Sequence, residues 1–262
     1  MRNRLSIGVA RIVAFAALLM ILGSGFAVAQ NQSDPEALKL VKSFENKLNL
    51  EGLDVTDTFT LVQKKPGEAD RVLQIKVYRR DSANVFTLIF QYPTSEKGKG
   101  YYRNGNDLYL YLPTTREFVY RNRKDDVGST DVRTDTFGRL ELEKQFQLAM
   151  EGQAQIAQWT CDVVKLTARQ LDVSFPIQKW FVRTTDGLPV KVENYSASGT
   201  LLRTVYYIEY QSVAPGKYLF TKLMSIDNLQ PGQKTFIVNE GISTDPIPDY
   251  VFSKAYLEQQ SR

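Results

Sequence analysis

Seven cations, Lys97, Lys99, Arg103, Arg116, Arg121, Arg123 and Lys124, fall between residues 97 and 124 of a 262-residue chain with a formal net charge of only +4. Such a cluster on neighbouring turns and strands can meet lipid phosphates or an acidic partner through charge-assisted hydrogen bonds. The default for such a cluster is the Lys and Arg decoration that keeps a second chain from adding to a sheet edge. Asp125, Asp126, Asp131 and Asp135 follow closely. Their spacing lacks the Gly and terminal Glu of a calcium loop, so no metal is expected. The chain has no histidine and one cysteine, Cys161. Ser-His-Asp and Cys-His nucleophiles, a histidine base and His- or thiolate-bound zinc are therefore excluded. Carboxylate-pair glycosidase chemistry and Ser-Lys nucleophiles need no imidazole and survive in principle. No residue pattern favours either, and neither an enzyme nor a cofactor is expected.

The elements that must position these residues begin after an export address. Arg2, Arg4 and Arg11 precede the apolar run Ile12 to Leu22, and Ala27-Val28-Ala29 offers a cleavage site before Gln30. The run is too short to span a bilayer, where about 20 residues are needed, so residues 1–29 read as a cleaved signal peptide. No cysteine follows it to carry an acyl anchor. Three of the 33 basic residues lie in that segment, leaving 30 against 29 acidic residues over 30–262. Bulk charge therefore gives no reason to expect nucleic acid. The absence of a linker points to a single domain.

Ser33-Asp34-Pro35-Glu36 opens a helix with Ser33 as N-cap and Glu36 completing a capping box, and Ala37, Val41, Phe44 and Leu48 give it one apolar face. From Asp54 the period changes to two. Strands are expected over residues 55–64, 71–80, 85–92, 108–112 and 117–121, with Pro66-Gly67 and Asn104-Gly105-Asn106 among the turns. Asn122 to Arg139 reads as a long polar loop. Leu142, Phe146 and Met150, at a spacing of four, predict a second short amphipathic helix over residues 140–152. Six further strands follow, over 158–167, 178–185, 188–195, 201–211, 218–227 and 233–239, before a weak helix over 248–259. Trp159 and Trp180 fall in strands, where packing is the default role.

Roughly eleven hairpin-connected strands predict a mainly β (α+β) fold: a strongly curved antiparallel sheet forming an incomplete barrel, covered by a few amphipathic helices. Such a sheet has a concave side. Leu73, Ile75, Val77, Phe86, Leu88, Phe90, Leu108, Leu110 and Leu112 can line a lipid cavity there, each buried methylene contributing about 0.8 kcal/mol. The alternative for each is ordinary core packing.

Three stretches carry a family resemblance: Phe86-Thr87-Leu88-Ile89-Phe90-Gln91-Tyr92-Pro93, Lys97-Gly98-Lys99-Gly100-Tyr101-Tyr102, and Asp107-Leu108-Tyr109-Leu110-Tyr111-Leu112-Pro113 with Arg116. Together they resemble the LolA-like outer-membrane lipoprotein-sorting proteins, in their longer, less characterised branch. The loop Val127-Gly128-Ser129-Thr130-Asp131 with Asp135-Thr136-Phe137-Gly138 departs from that family's usual wording. The resemblance implies a half-barrel over residues 30–262 with helices as a lid, whose interior accepts acyl chains of lipoproteins or related lipids.

Two functions follow as expectations. In the first, a periplasmic, monomeric carrier or chaperone moves an acylated lipoprotein or lipid between membranes, meeting an inner-membrane transporter or an outer-membrane acceptor. In the second, a periplasmic adaptor docks onto a membrane transporter through a sheet edge or the basic face.

Overall fold

The computed structural model describes residues 32–122, 124–130, 132–170 and 172–261. The signal peptide expected over residues 1–29, and with it Arg123 and Asp131, lies outside the described residues.

Among the described residues thirteen strands are present: β1 (Asp54–Lys64), β2 (Arg71–Arg80), β3 (Val85–Tyr92), β4 (Gly100–Asn104), β5 (Asp107–Leu112), β6 (Glu117–Arg121), β7 (Phe146–Ile156), β8 (Trp159–Ala168), β9 (Ile177–Arg183), β10 (Pro189–Tyr195), β11 (Leu201–Ala214), β12 (Lys217–Asp227) and β13 (Lys234–Ser243). They form one sheet in the order β6-β5-β4-β3-β2-β1-β13-β12-β11-β10-β9-β8-β7. Every neighbouring pair is antiparallel, so two meanders, β1 to β6 and β7 to β13, are joined where β1 pairs with β13. Strands β6 and β7 end the order without closing it into a barrel, and three α-helices among the described residues accompany the sheet.

Alternation sets the inner face. Strand β1 buries Val55, Asp57, Phe59, Leu61 and Gln63, and β2 buries Leu73, Ile75, Val77 and Arg79. Leu61 lies opposite Leu73 and Phe59 opposite Ile75. Each fully buried aliphatic or aromatic side chain contributes roughly 1.5–3 kcal/mol, so a one-residue slip, which would turn this set outward, is strongly disfavoured.

The first helix, α1 (Pro35–Leu48), is capped by Asp34, not by Ser33: the Glu36 amide donates to Asp34 Oδ1 at 2.9 Å. Its Ala37, Val41 and Phe44 pack on the β7–β10 half of the inner face, with Phe44 stacked on Trp180 at 5.1 Å. Asn49 exchanges two hydrogen bonds with the Leu140 backbone, at 2.9 and 2.7 Å, and so ties the helix end to the chain leaving the long loop. A buried pair holds the same corner. Arg79 donates to both oxygens of Asp81 at 2.6 Å, and the Leu50 amide donates to Asp81 Oδ2 at 2.7 Å. Burial opposes ionisation of Asp81, but the Arg79 guanidinium outweighs it and holds the carboxyl below its ordinary range.

Two expectations fail locally. The helix predicted over residues 140–152 is a single turn, α2 (Leu142–Gln145), after which the chain enters β7. A spacing of four fits both a helix and a strand, and Phe146, Leu148 and Met150 alternate as well as they recur helically. Strand β4, Gly-Tyr-Tyr-Arg-Asn, carries no apolar alternation to announce it. These two strands account for thirteen against eleven. The last helix, α3 (Lys254–Gln260), packs on the outer face, its Leu257 buried against Ile89 and Tyr111. Gly100 makes room for it, since a Cβ there would lie 2.4 Å from Leu257 Cδ1 and 2.3 Å from the Leu88 carbonyl oxygen.

The segment 122–139 is not a surface loop. Val127, Val132 and Phe137 are buried in the same cluster as Phe59, Leu73 and Phe90. Phe137 meets Phe59 edge-on at 4.9 Å. The Val127 amide donates to the Val132 carbonyl at 2.7 Å, and Thr130 Oγ1 donates to the Val127 carbonyl at 2.7 Å. At Gly128, where φ is +56°, a Cβ would sit 2.9 Å from the Phe90 ring and 3.0 Å from Leu73. The segment is a plug seated on the β1–β5 half of the inner face.

Candidate functional site

Between the plug, α2 and the inner face of β9–β13 lies a cavity of about 190 Å³. Its apolar wall is built by strand register: Trp180 faces Val192, Val192 faces Val205, and Tyr207 faces Leu223 across successive strands. Trp180 and Tyr207 stack at 6.4 Å, and Tyr207 stacks on Tyr210 at 5.9 Å. Burial pushes the Tyr207 hydroxyl well above its ordinary range, so it stays protonated.

The other wall is polar, and the same register builds it. Gln178 lies opposite Asn194, Asn194 opposite Arg203, and Ser225 opposite Thr235. Asn194 and Ser225 are buried although they occupy inward positions that carry Val192 and Leu223 one step along the same strands. Arg133 and Arg203 place their guanidinium carbons 5.5 and 5.7 Å from the centre of the Phe175 ring. At the plug, Ser174 donates to Asp135 at 2.6 Å, and Lys124 pairs with Asp172 at 3.3 Å. Below α2, Glu45 accepts the Leu142 amide; burial raises its carboxyl above the ordinary range.

A second cavity, of about 450 Å³, lies across the plug. Phe90, Tyr101 and Leu110 line it together with a charged set of Glu96, Lys99, Arg121, Asp125, Asp126 and Arg133. Arg133 lines both cavities, so the plug is the wall between them. The first cavity has the more apolar surroundings and is the better place for hydrocarbon, despite its smaller volume. At about 190 Å³ it is below the roughly 300–1,000 Å³ usual for ligand sites.

The structure places the sequence-derived candidates as follows. Leu73, Ile75, Val77, Phe86, Leu88, Phe90 and Leu108 are buried together on the inner face, in contact with the plug's cluster. Of the lipid candidates Phe90 and Leu110 reach the second cavity, and Leu112 is half-buried. The basic residues divide. Arg103, over the Phe86 ring at 5.7 Å, and Lys124 line the first cavity. Lys99, paired with Glu96 at 2.6 Å, and Arg121, paired with Asp125 at 2.8 Å, line the second. Lys97 and Arg116 are exposed on turns. The residues that build the first cavity's two walls, Trp180, Tyr207, Asn194, Arg203 and Ser225, come from the second meander. Polar side chains at inward strand positions are the signal that could have found them.

A family model described as "Uncharacterized protein" matches residues 83–259, more than half of the chain. No curated protein matches it. Among solved structures, a LolA superfamily protein from Nitrosomonas europaea is 19% identical and superposes with a TM-score of 0.72 over 84% of this chain and 98% of its own. A domain assigned as an outer membrane lipoprotein-sorting protein from Vibrio parahaemolyticus is 15% identical, with a TM-score of 0.77 over 85% of this chain and 98% of its own. A DUF1329 family protein from Desulfovibrio piger is 15% identical, with a TM-score of 0.75 over 86% and 99%. The chain therefore belongs to the family of uncharacterized proteins that this model describes, a branch with the LolA-like fold.

Proposed function

We propose that the protein is a periplasmic carrier of lipid or of acylated lipoprotein, serving outer-membrane lipoprotein sorting, that holds acyl chains against the inner face of its sheet. One observation carries this reading. The apolar inner face of an open sheet is covered on its β1–β5 half by a plug with little regular structure, with a cavity on either side of it. A second packed sheet would make a solid core; a short plug can leave.

The energetics suit reversible loading. Val127, Val132 and Phe137 together contribute on the order of 4.5–9 kcal/mol by their burial, comparable with about 6–11 acyl methylenes. An acyl chain that displaces the plug thus gains little more than it gives up, and exchange between a plugged and an occupied state leaves affinity modest enough for release. No bond is made or broken. In the plugged state Leu73, Ile75, Val77, Phe86, Leu88, Phe90 and Leu108 are packed, and they become chain-lining when the plug lifts. The basic residues around both cavities would face the head groups, or an inner-membrane transporter and an outer-membrane acceptor.

Extraction of the purified protein with organic solvent, followed by lipid mass spectrometry, tests the proposal together with uptake of a fluorescent fatty-acyl probe. Bound lipid or saturable uptake is expected. Absence of both would overturn it.

A further inference from the structure

We infer that the first cavity contains an anionic head-group subsite: Arg203, Asn194 and Ser225 receive the carboxylate or phosphate of an amphiphile whose chain runs along Trp180 and Tyr207. The inference rests on the acyl-binding reading and adds the chemistry of the ligand's polar end.

Strand register carries the first part. On β10 and β12, steps of two along the inner face pass from Val192 to Asn194 and from Leu223 to Ser225, and on β11 from Val205 to Arg203. Asn194 and Arg203 lie opposite each other, and Ser225, opposite Val205, stands one row nearer the apolar wall, so polar side chains border apolar ones as the two parts of an amphiphile do. Ser225 supplies the second part. Its side-chain oxygen is buried, lines the cavity and has no hydrogen-bond partner. Leaving a buried hydroxyl unsatisfied costs about 1–3 kcal/mol, and an oxyanion beside it would accept a hydrogen bond from its O–H.

Charge supplies the third part. Five Arg and Lys side chains line the cavity against three carboxylates, so its field favours an anion and disfavours a cation. Arg203 lies opposite Asn194 and over the Phe175 ring at 5.7 Å, while Arg133, 5.5 Å from the same ring, is paired with Asp126 on the plug at 3.4 Å, so Arg203 is the planar donor that the sheet itself supplies. A guanidinium can meet either a carboxylate or a phosphate with two parallel hydrogen bonds.

The test uses the two tryptophans of the chain, Trp159 and Trp180. In a Trp159→Phe background, fluorescence reports Trp180 alone, on the cavity wall. The protein is titrated with dodecanoate, dodecyl phosphate and dodecanol, and then with inorganic phosphate as a competitor. Both anions are expected to bind at least about tenfold more tightly than the alcohol, the gain typical of hydrogen bonds to a charged group. Arg203→Gln and Ser225→Ala should each reduce that preference, weakening both anions more than dodecanol. Displacement of dodecyl phosphate by inorganic phosphate would support the subsite and name free phosphate as a ligand; preference for either amphiphile without such displacement would support it and name the lipid head group. Equal binding of all three amphiphiles, or a preference that survives in both variants, would overturn the subsite and leave acyl binding standing. Binding of none would overturn both.

Discussion

At the scale of single residues, Asp57 is the least comfortable group on the inner face. It is buried on β1 two residues from Val55 and Phe59, and burial pushes its carboxyl from 3.8 up to about 7. Arg79 and Lys76 pull the other way, but Arg79 is already held by both oxygens of Asp81. Asn239 Nδ2 donates to Asp57 Oδ2 at 3.4 Å, while Oδ1 of each residue is buried without a partner. Between these two pH values the folded protein keeps a proton that the unfolded chain has lost. The contribution of Asp57 to stability is therefore fully present below the unfolded value, falls as pH rises towards about 7, and is level above it. Asp57→Asn, which keeps the shape without the charge, should gain on the native protein as pH is raised from about 4.5 to about 8, measured as the difference between urea unfolding free energies. A difference that stays constant across that range would contradict a neutral buried carboxyl. Asp57, Asn194 and Ser225 show what residue-level reading loses. Searching inward positions for apolar side chains finds the core, but the informative residues are the polar ones at those positions, and their parity is certain only once register is known.

At the scale of elements, the strands were legible and the plug was not. Alternation located strands such as β1, β2 and β3 because each buries one face. It failed for β4, too short and aromatic to alternate, and for β7, whose apolar spacing of four suits two periods. The segment 122–139 reads as polar because Arg, Lys and Asp outnumber its three buried anchors. Nothing local says that Val127, Val132 and Phe137 turn inward, since they pack against residues as distant in sequence as Phe59 and Ile237, in a sheet that must first form. That placement divides the room left on the inner face into two cavities, and the more apolar of them lies against the second meander. If the plug competes with an acyl chain, weakening it should have two effects. Phe137→Ala removes the ring set against Phe59 and should lower stability by about 3–5 kcal/mol, seen in urea unfolding. It should also speed uptake of a fluorescent acyl probe in stopped-flow mixing. Lost stability with unchanged uptake would make the plug a core element only.

At the scale of the whole molecule, the organising feature is the join between β1 and β13. It unites two meanders into one wrapped sheet and leaves β6 and β7 as free edges. An open sheet can part from what it covers more easily than a closed barrel, whose ladder has no end. The helices divide the labour: α1 fills the inner face on one half, the plug fills the other, and α3 braces the outside. In the proposed carrier, loading is motion of the plug against the sheet. Photolabelling reads this most directly: the protein is exposed to a fatty acid carrying a diazirine along its chain, irradiated, digested and mapped by mass spectrometry. Adducts are expected on inner-face residues, Trp180, Tyr207, Leu223 and Phe90 among them, and should be competed by unlabelled fatty acid. Adducts confined to outward residues such as Ile208 and Tyr250, or labelling that no fatty acid competes, would contradict it.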